Sequence, residues 1–290
     1  MPLTLYITAG SKTDKIYILE EYTLIKDITI GQYFPGKSAV HKMDARIKII
    51  LTGVFIVMLF MADNIASLGV GIVFTVLIFL VSKIPGKMML KSLKPIVPII
   101  IFTAILNLFF VRTGDPYFEW NFIKITNEGV DTAIFMVVRI LCLIAGTSLL
   151  TYTTSPIDLT DAIERLLSPL KKIKVPVHEL AMMMTIALRF IPTLIEETDK
   201  IMSAQKARGA NLEDGNLIQR AKALIPILIP LFVASFRHAE ELALAMECRC
   251  YHGGEGRTRM KQLKLSLLDL WGSLFCIVFL AGVIVVNHLM

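Results

Sequence analysis

The octapeptide GQYFPGKS, residues 31–38, fits the pattern G-x-x-x-x-G-K-[ST] letter for letter. A working phosphate-binding loop needs a strand that delivers the glycines and backbone N–H groups that cradle phosphate. It also needs a subsequent helix that opens with a magnesium-binding Ser. The flanks half oblige, with residues 22–30 able to form a strand and residue 39 onward a helix. Three residues oppose it. Pro35 removes a backbone donor where the cradle needs one, and Tyr33 and Phe34 crowd a loop that must approach phosphate closely.

The remainder of the chain argues against a phosphate loop more strongly. The 290-residue chain is 55% hydrophobic and 19% charged, whereas soluble domains carry about 25% charged residues. Its mean hydropathy is +0.66. Apolar runs suited to crossing a bilayer, which takes about 17 to 25 residues, stand at 47–62, 67–82, 95–111, 132–151 and 267–288. The expectation is an all-α integral membrane protein with about five transmembrane helices. A loop at Gly31 would then lack the buried parallel sheet that positions nucleotide-binding glycines. GQYFPGKS reads as a chance match.

Basic residues near span ends set the orientation, because cytoplasmic loops carry the excess of Lys and Arg. Residues 1–46 hold six basic residues and the turn 63–66 holds none. The loop 83–94 has four lysines, the loop 112–131 two basic residues against four acidic, and the segment 152–266 sixteen basic residues. This predicts a cytoplasmic N-terminus, a cytoplasmic 152–266 segment and an extracytoplasmic C-terminus. Residues 1–26 include Asp14, Lys15, Glu20 and Glu21 and have no apolar core suited to a signal peptide. The net charge of +6 tracks membrane topology and gives no nucleic-acid footprint, since no aromatic-rich basic platform accompanies it. Cys142 and Cys276 fall inside spans. Cys248, Cys250 and His252 form C-x-C-x-H, whose spacing is not that of a usual structural zinc site, and no fourth ligand is evident. Neither metal nor cofactor is expected.

The most informative region lies between the fourth and fifth spans. TTSPIDLTDAIERLLSPL places Ser155 to cap a helix and Pro156 at its first position, and Leu159, Ala162, Ile163, Leu166, Leu167 and Leu170 recur on one face. An amphipathic surface helix is expected there. Two longer helical segments come next. One runs from His178 and ends in AQKARGA; the other starts with ALIPILIPLFVASF at 223–236 and ends in AMECRCY. Pro226 and Pro230 make the apolar part of the second short for a span and broken, which places it against other helices at the inner face. Both segments end alike: Ala, two residues, a small residue, Arg, a small residue. Small neighbours leave Arg208 and Arg249 unshielded at helix ends, fit to enter a partner's groove and make forked hydrogen bonds. The plainer reading is that Arg suits a helix C-terminus and Gly209 is a cap. Two similar prongs suit a partner with two similar halves.

The stretches ITIGQYFPGKSAVHKMDARIKI, VVRILCLIAGTSLLTYTTSPIDLTDAIERLLSPL, VHELAMMMTIALRFIPTLIEETDKIMSAQKARGA and AMECRCYHGG, in this order, resemble the transmembrane scaffold, or T component, of energy-coupling factor transporters. The resemblance covers about residues 27–290 and leaves 1–26 outside as a possible non-native extension. It implies a non-catalytic subunit of a bacterial or archaeal cytoplasmic membrane. Such a subunit joins two ABC-type ATPases to a small substrate-binding membrane subunit, one or several interchangeable, for uptake of a vitamin or metal ion. The implied layout has a cytoplasmic segment at 1–46, four spans within 47–151, three coupling helices within 152–266 and a last span at 267–290. The family's Ala-Arg-Gly docking motifs carry over to Ala207, Arg208 and Gly209, and to Cys248, Arg249 and Cys250, where the second departs from the Ala and Gly letters.

Arg139 sits near the middle of the fourth expected span, where a charge is costly. Its readings are structural, satisfied by carbonyls or polar groups of neighbouring helices, or part of a coupling motion. Met182, Met183 and Met184 stand in a row in a chain with 14 methionines, either as core filling or as a surface that repacks against different partners. A membrane ATPase would need an acidic strand motif for magnesium, which is not found. A channel or secondary transporter would need a polar path at mid-membrane, for which Arg139 and Asn107 are thin support.

Overall fold

The computed structural model describes residues 33–110, 116–120, 123–210, 216–253 and 265–289. Ten α-helices are described: α1 (Ala39–Lys42), α2 (Ala45–Phe60), α3 (Ile65–Ser82), α4 (Gly86–Leu93), α5 (Val97–Phe110), α6 (Asn127–Thr153), α7 (Pro156–Leu166), α8 (Val177–Ala207), α9 (Leu217–Cys248) and α10 (Leu267–Leu289). One antiparallel hairpin, β1 (Pro116–Trp120) with β2 (Ile123–Thr126), joins α5 to α6 and is the one sheet among the described residues.

The helix starts obey local chemistry. Asp44 caps α2 by accepting from the Arg46 N–H at 2.9 Å. Asn64 and Ser67 form a reciprocal capping box on α3, and Thr126 accepts from the Gly129 N–H to open α6. Ser155 caps α7 with Pro156 in its first turn, as the sequence predicts. These side chains satisfy N–H groups that the first turn of a helix leaves without partners.

Among the described residues, six helices are long and apolar enough to cross a membrane: Ile65–Ser82, Gly86–Phe110, Asn127–Thr153, Val177–Ala207, Lys222–Cys248 and Leu267–Leu289. Four coincide with expected spans. The expected first span, 47–62, forms the shorter α2 of 16 residues. The lysine-bearing loop 83–94 is itself helical, running through α4 and a 3-10 turn at Lys94–Ile96 into α5. The sequence reading of α9 as broken by proline is corrected, because the helix continues for 32 residues through Pro226 and Pro230. Likewise α8 passes through Pro192. Each proline forfeits one backbone bond, a loss that packed apolar helices tolerate.

The core lies where α2, α3, α6 and α10 meet, around Phe55, Met58, Leu59, Phe74, Cys142 and Cys276. Phe74 stacks on Phe55 and on Phe275, with ring centroids 5.5 Å apart in both pairs. Outward surfaces are apolar as well, as on α5, where Phe102 is 62% and Phe110 79% exposed. That inverted pattern suits a lipid surround. Beyond the bundle, α7 packs on α2 and α8, and α9 packs chiefly on α8.

The described part of the octapeptide, residues 33–38, shows no phosphate cradle. Gly31, Gln32 and the expected strand at 22–30 lie outside the described residues, as do residues 1–26. Residues 33–37 have no regular structure and Lys37 is exposed. The Ser38 hydroxyl is 2.6 Å from His41 Nδ1 and caps the four-residue α1, while His41 Nε2 is 3.0 Å from the Phe34 carbonyl.

Candidate functional site

Two helix ends carry the residues singled out in the sequence. At the end of α8, Arg208 is the C-cap. The Gly209 N–H donates to the Lys206 carbonyl at 3.0 Å and the Ala210 N–H to the Gln205 carbonyl at 3.0 Å. At the end of α9, Arg249 is the C-cap, with Cys250 N–H donating to Glu247 at 2.9 Å and Tyr251 N–H to Met246 at 3.0 Å. Both are the same Schellman closure, bond for bond. It requires a left-handed residue after the cap, and that residue is Gly209 at φ 83° in one end and Cys250 at φ 55° in the other. The departure from glycine noted in the sequence therefore leaves the backbone path unchanged.

Ala207, Arg208, Gly209, Cys248, Arg249 and Cys250 are all exposed. Neither Arg208 nor Arg249 has a side-chain partner among the described residues, which leaves two guanidiniums on capped tips with their donors free. Cys248, Cys250 and His252 share the second tip, and the described residues hold no group of three or more His, Cys, Asp or Glu arranged to bind a metal.

The two helices that carry the tips are tied to each other. Gln205 Nε2 donates to the Pro226 carbonyl at 3.3 Å, a carbonyl well inside α9. The His238 ring lies 3.2 Å from Glu197 Oε2 and stacks on Phe190 with centroids 6.1 Å apart. At the root of α8, His178 Nδ1 is 3.1 Å from Glu164 of α7. The bundle thus reaches the tips through α7, then α8, then α9. Met183 and Met184 are exposed along α8.

Where α7 leaves the bundle there is a buried polar junction that the sequence reading did not single out. Lys48 Nζ, on α2, donates to the Thr153 carbonyl at 2.9 Å, to Thr154 Oγ1 at 3.3 Å and to the His41 carbonyl at 3.3 Å. Asp269 at the start of α10 accepts from the Asp44 N–H at 2.7 Å and from the Ser266 N–H at 2.6 Å. Arg46 Nη2 donates to Asp44 Oδ2 at 2.7 Å. Burial disfavours the Asp44 carboxylate, yet the Arg46 guanidinium and N–H more than offset it and hold the group below its ordinary range. The available signal was Lys48 itself, an ionisable residue two positions into an apolar run.

At the opposite end of the bundle, Arg139 reaches from α6 to donate through Nη2 to the Ala62 carbonyl, and its guanidinium lies 4.5 Å from the Phe135 ring centroid. Asn287 of α10 donates to the neighbouring Met61 carbonyl and accepts from the Asp63 N–H at 3.4 Å. The turn after α2 is held from two sides.

A protein-family model described as cobalt transport protein, CbiQ, matches residues 36–260, the stretch that carries both tips and the polar junction apart from Ser266 and Asp269. An energy-coupling factor transporter transmembrane protein, EcfT, of Clostridium kluyveri is 58% identical over 256 residues, covering 88% of this chain and 95% of that one. The chain belongs to the CbiQ/EcfT family. It is a transmembrane component of an energy-coupling factor transporter, and its apolar helices agree with a membrane location. Other EcfT relatives are 54% identical in Ruminiclostridium cellulolyticum, over 91% of this chain and 99% of that one, and 47% identical in Bacillus subtilis, over 83% and 91%. Family membership identifies the type of component; the tips, the junction and the Arg139 clamp are read from the structure.

Proposed function

We propose that the chain is the non-catalytic scaffold through which two ABC-type ATPases drive a small substrate-binding membrane subunit in uptake of a vitamin or metal ion. Arg208 and Arg249 each anchor one ATPase. The observation that carries this reading is the pair of identically closed, exposed, Arg-capped tips on two separate helices of one chain, a match for two similar partners. In this reading residues 47–151 and 267–290 span a bacterial or archaeal cytoplasmic membrane and 152–266 faces the cytoplasm. The N-terminus is then inside and the C-terminus outside. The substrate subunit, one or several interchangeable, meets the exposed apolar surface of α8 and α9. Arg139 serves as a structural clamp on the turn after α2.

A buried interfacial Arg costs about 2 to 4 kcal/mol when truncated, which at 1.4 kcal/mol per decade weakens one docking contact roughly 30- to 1,000-fold. Arg208→Ala and Arg249→Ala should each leave a complex held by the other tip, and the double change should release both ATPases. Uptake by proteoliposomes should collapse in either single variant, because an ATPase dimer gripped at one end closes without moving the scaffold. Full uptake by both single variants, or unchanged ATPase retention in the double variant, would mean that these arginines only cap helices.

A further inference from the structure

A cavity of about 290 Å³ lies among α1, α2, α3, α6 and α10, at the lysine-rich end of the bundle. Its walls are apolar side chains, among them Phe55, Phe74, Ile78, Leu149 and Phe275. Thr52, Thr75, Thr153 and Lys48 also line it, and the donors of these four are engaged. Thr52, Thr75 and Thr153 donate to carbonyls of their own helices at 2.8 Å, and Lys48 donates to Thr153, Thr154 and His41. With these donors engaged and the rest of the lining mostly apolar, a space of this size favours an apolar occupant. It is also far larger than the voids of a packed interior and sits at the lower bound of ligand pockets, about 300 Å³.

The mouth indicates which occupant. Its exposed lining includes Val81 at the end of α3 and Trp271 near the start of α10, 52% and 66% exposed on two helices long and apolar enough to span a membrane. A tryptophan there marks the boundary between hydrocarbon and headgroups. Exposed lysines border the lining along the chain: Lys42 precedes the lining residue Met43, and Lys83 lies two positions beyond Val81. An apolar cavity with a tryptophan at its rim and two cations beside it matches an acyl chain below a phosphate. Gly146 and Gly272 let the walls approach the neighbouring Phe55 and Met43 side chains, into which a Cβ at either position would run.

We infer that this cavity holds one acyl chain of a phospholipid from the leaflet on the lysine-rich side, with the lipid phosphate at Lys42 and Lys83. The test reconstitutes the full chain in phosphatidylcholine vesicles doped with a phosphatidylglycerol that carries a diazirine midway along one acyl chain. Photolysis should label peptides covering 74–81, 146–153 and 268–276 above the lipid-facing surface of α5. Leu150→Trp, which fills the cavity, should lower that labelling by about tenfold, the equivalent of roughly two methylenes losing burial. Lys42→Glu combined with Lys83→Asn, both exposed and the second suited to a left-handed residue, should lower it by about fivefold per lysine. This pair keeps the test decisive if the tryptophan variant fails to fold. Labelling no higher in the cavity than on α5, or unchanged in a folded Leu150→Trp or in the lysine pair, overturns the inference. Labelling that arises only after deletion of residues 1–26 overturns it too, by assigning the cavity to the chain's own N-terminal segment.

Discussion

Gly209 and Cys250 occupy one and the same backbone position, the left-handed residue that closes a Schellman motif after an arginine cap, at φ 83° and 55°. Glycine adopts that conformation freely, whereas an L side chain meets its own succeeding carbonyl and costs about 1 to 2 kcal/mol. Cys250→Gly should therefore stabilise the end of α9 by up to about 1 kcal/mol and leave uptake at the parent level, and Gly209→Val should destabilise the end of α8 by a similar amount. Chemical denaturation of the solubilised protein reads both. A loss of stability in Cys250→Gly would show that the thiol makes contacts that outweigh the backbone strain.

Lys37 is exposed, and its neighbour Ser38 is turned into a helix cap against His41. Lys37→Ala should leave uptake by the assembled transporter near its parent level. Abolished uptake in a normally assembled complex would restore the octapeptide as a nucleotide site.

Asp44 gives a pH dependence with a definite sign. Its carboxylate, 1% exposed and paired with Arg46, is held below the ordinary value of 3.8. A lowered folded value means that the unfolded chain binds the proton first as pH falls. The stability from this pair is fully present above about pH 4 and is lost as pH falls through the folded value. Melting temperature measured from pH 6 to 3 should drop on the acid side, and Asp44→Asn should flatten that limb. An unchanged acid limb in a folded Asp44→Asn would assign it to other carboxylates.

Gly146 lets α6 approach α2, because a Cβ there would overlap the Phe55 ring. Gly146→Ala should cost about 1 to 3 kcal/mol through overpacking. Phe55→Leu should recover part of that loss, so the two changes combine to less than their sum. Strict additivity in thermal melts would mean that α6 shifts as a body and the ring is not the obstacle.

Legibility in the sequence depends on how local each cause is. The spanning helices are runs of apolar residues, and the Ser155-Pro156 start of α7 is a cap; neither depends on anything distant. The Arg208 and Arg249 endings were readable as letters, but that Cys250 takes the glycine conformation was not, because a cap's dihedral is fixed by bonds it makes after folding. Proline pulled the reading of α9 the wrong way: the local penalty at Pro226 and Pro230 is real, and apolar packing overrides it. The junction of Asp44 with Asp269 joins residues 225 apart in sequence, a pairing that no window along the chain contains. The turn clamp was half visible, since Arg139 stood out as a charge within an apolar span while its acceptor, a backbone carbonyl at Ala62, has no sequence signature.

The tie between Gln205 and Pro226 fixes where α8 meets α9, and Arg249 lies 23 residues beyond Pro226 along the same helix. At 1.5 Å per residue, the second tip stands about 35 Å from that crossing, whereas the first is only three residues from it. Helix α9, tied to α8 at Pro226 and again at His238, is therefore a measuring rod that carries Arg249 beyond both ties. Adding a single residue between Pro230 and Arg249 would lengthen it by about 1.5 Å and swing Arg249 about 100° around the axis, so any pair of grooves that accepts both tips must match the rod in phase as well as in length.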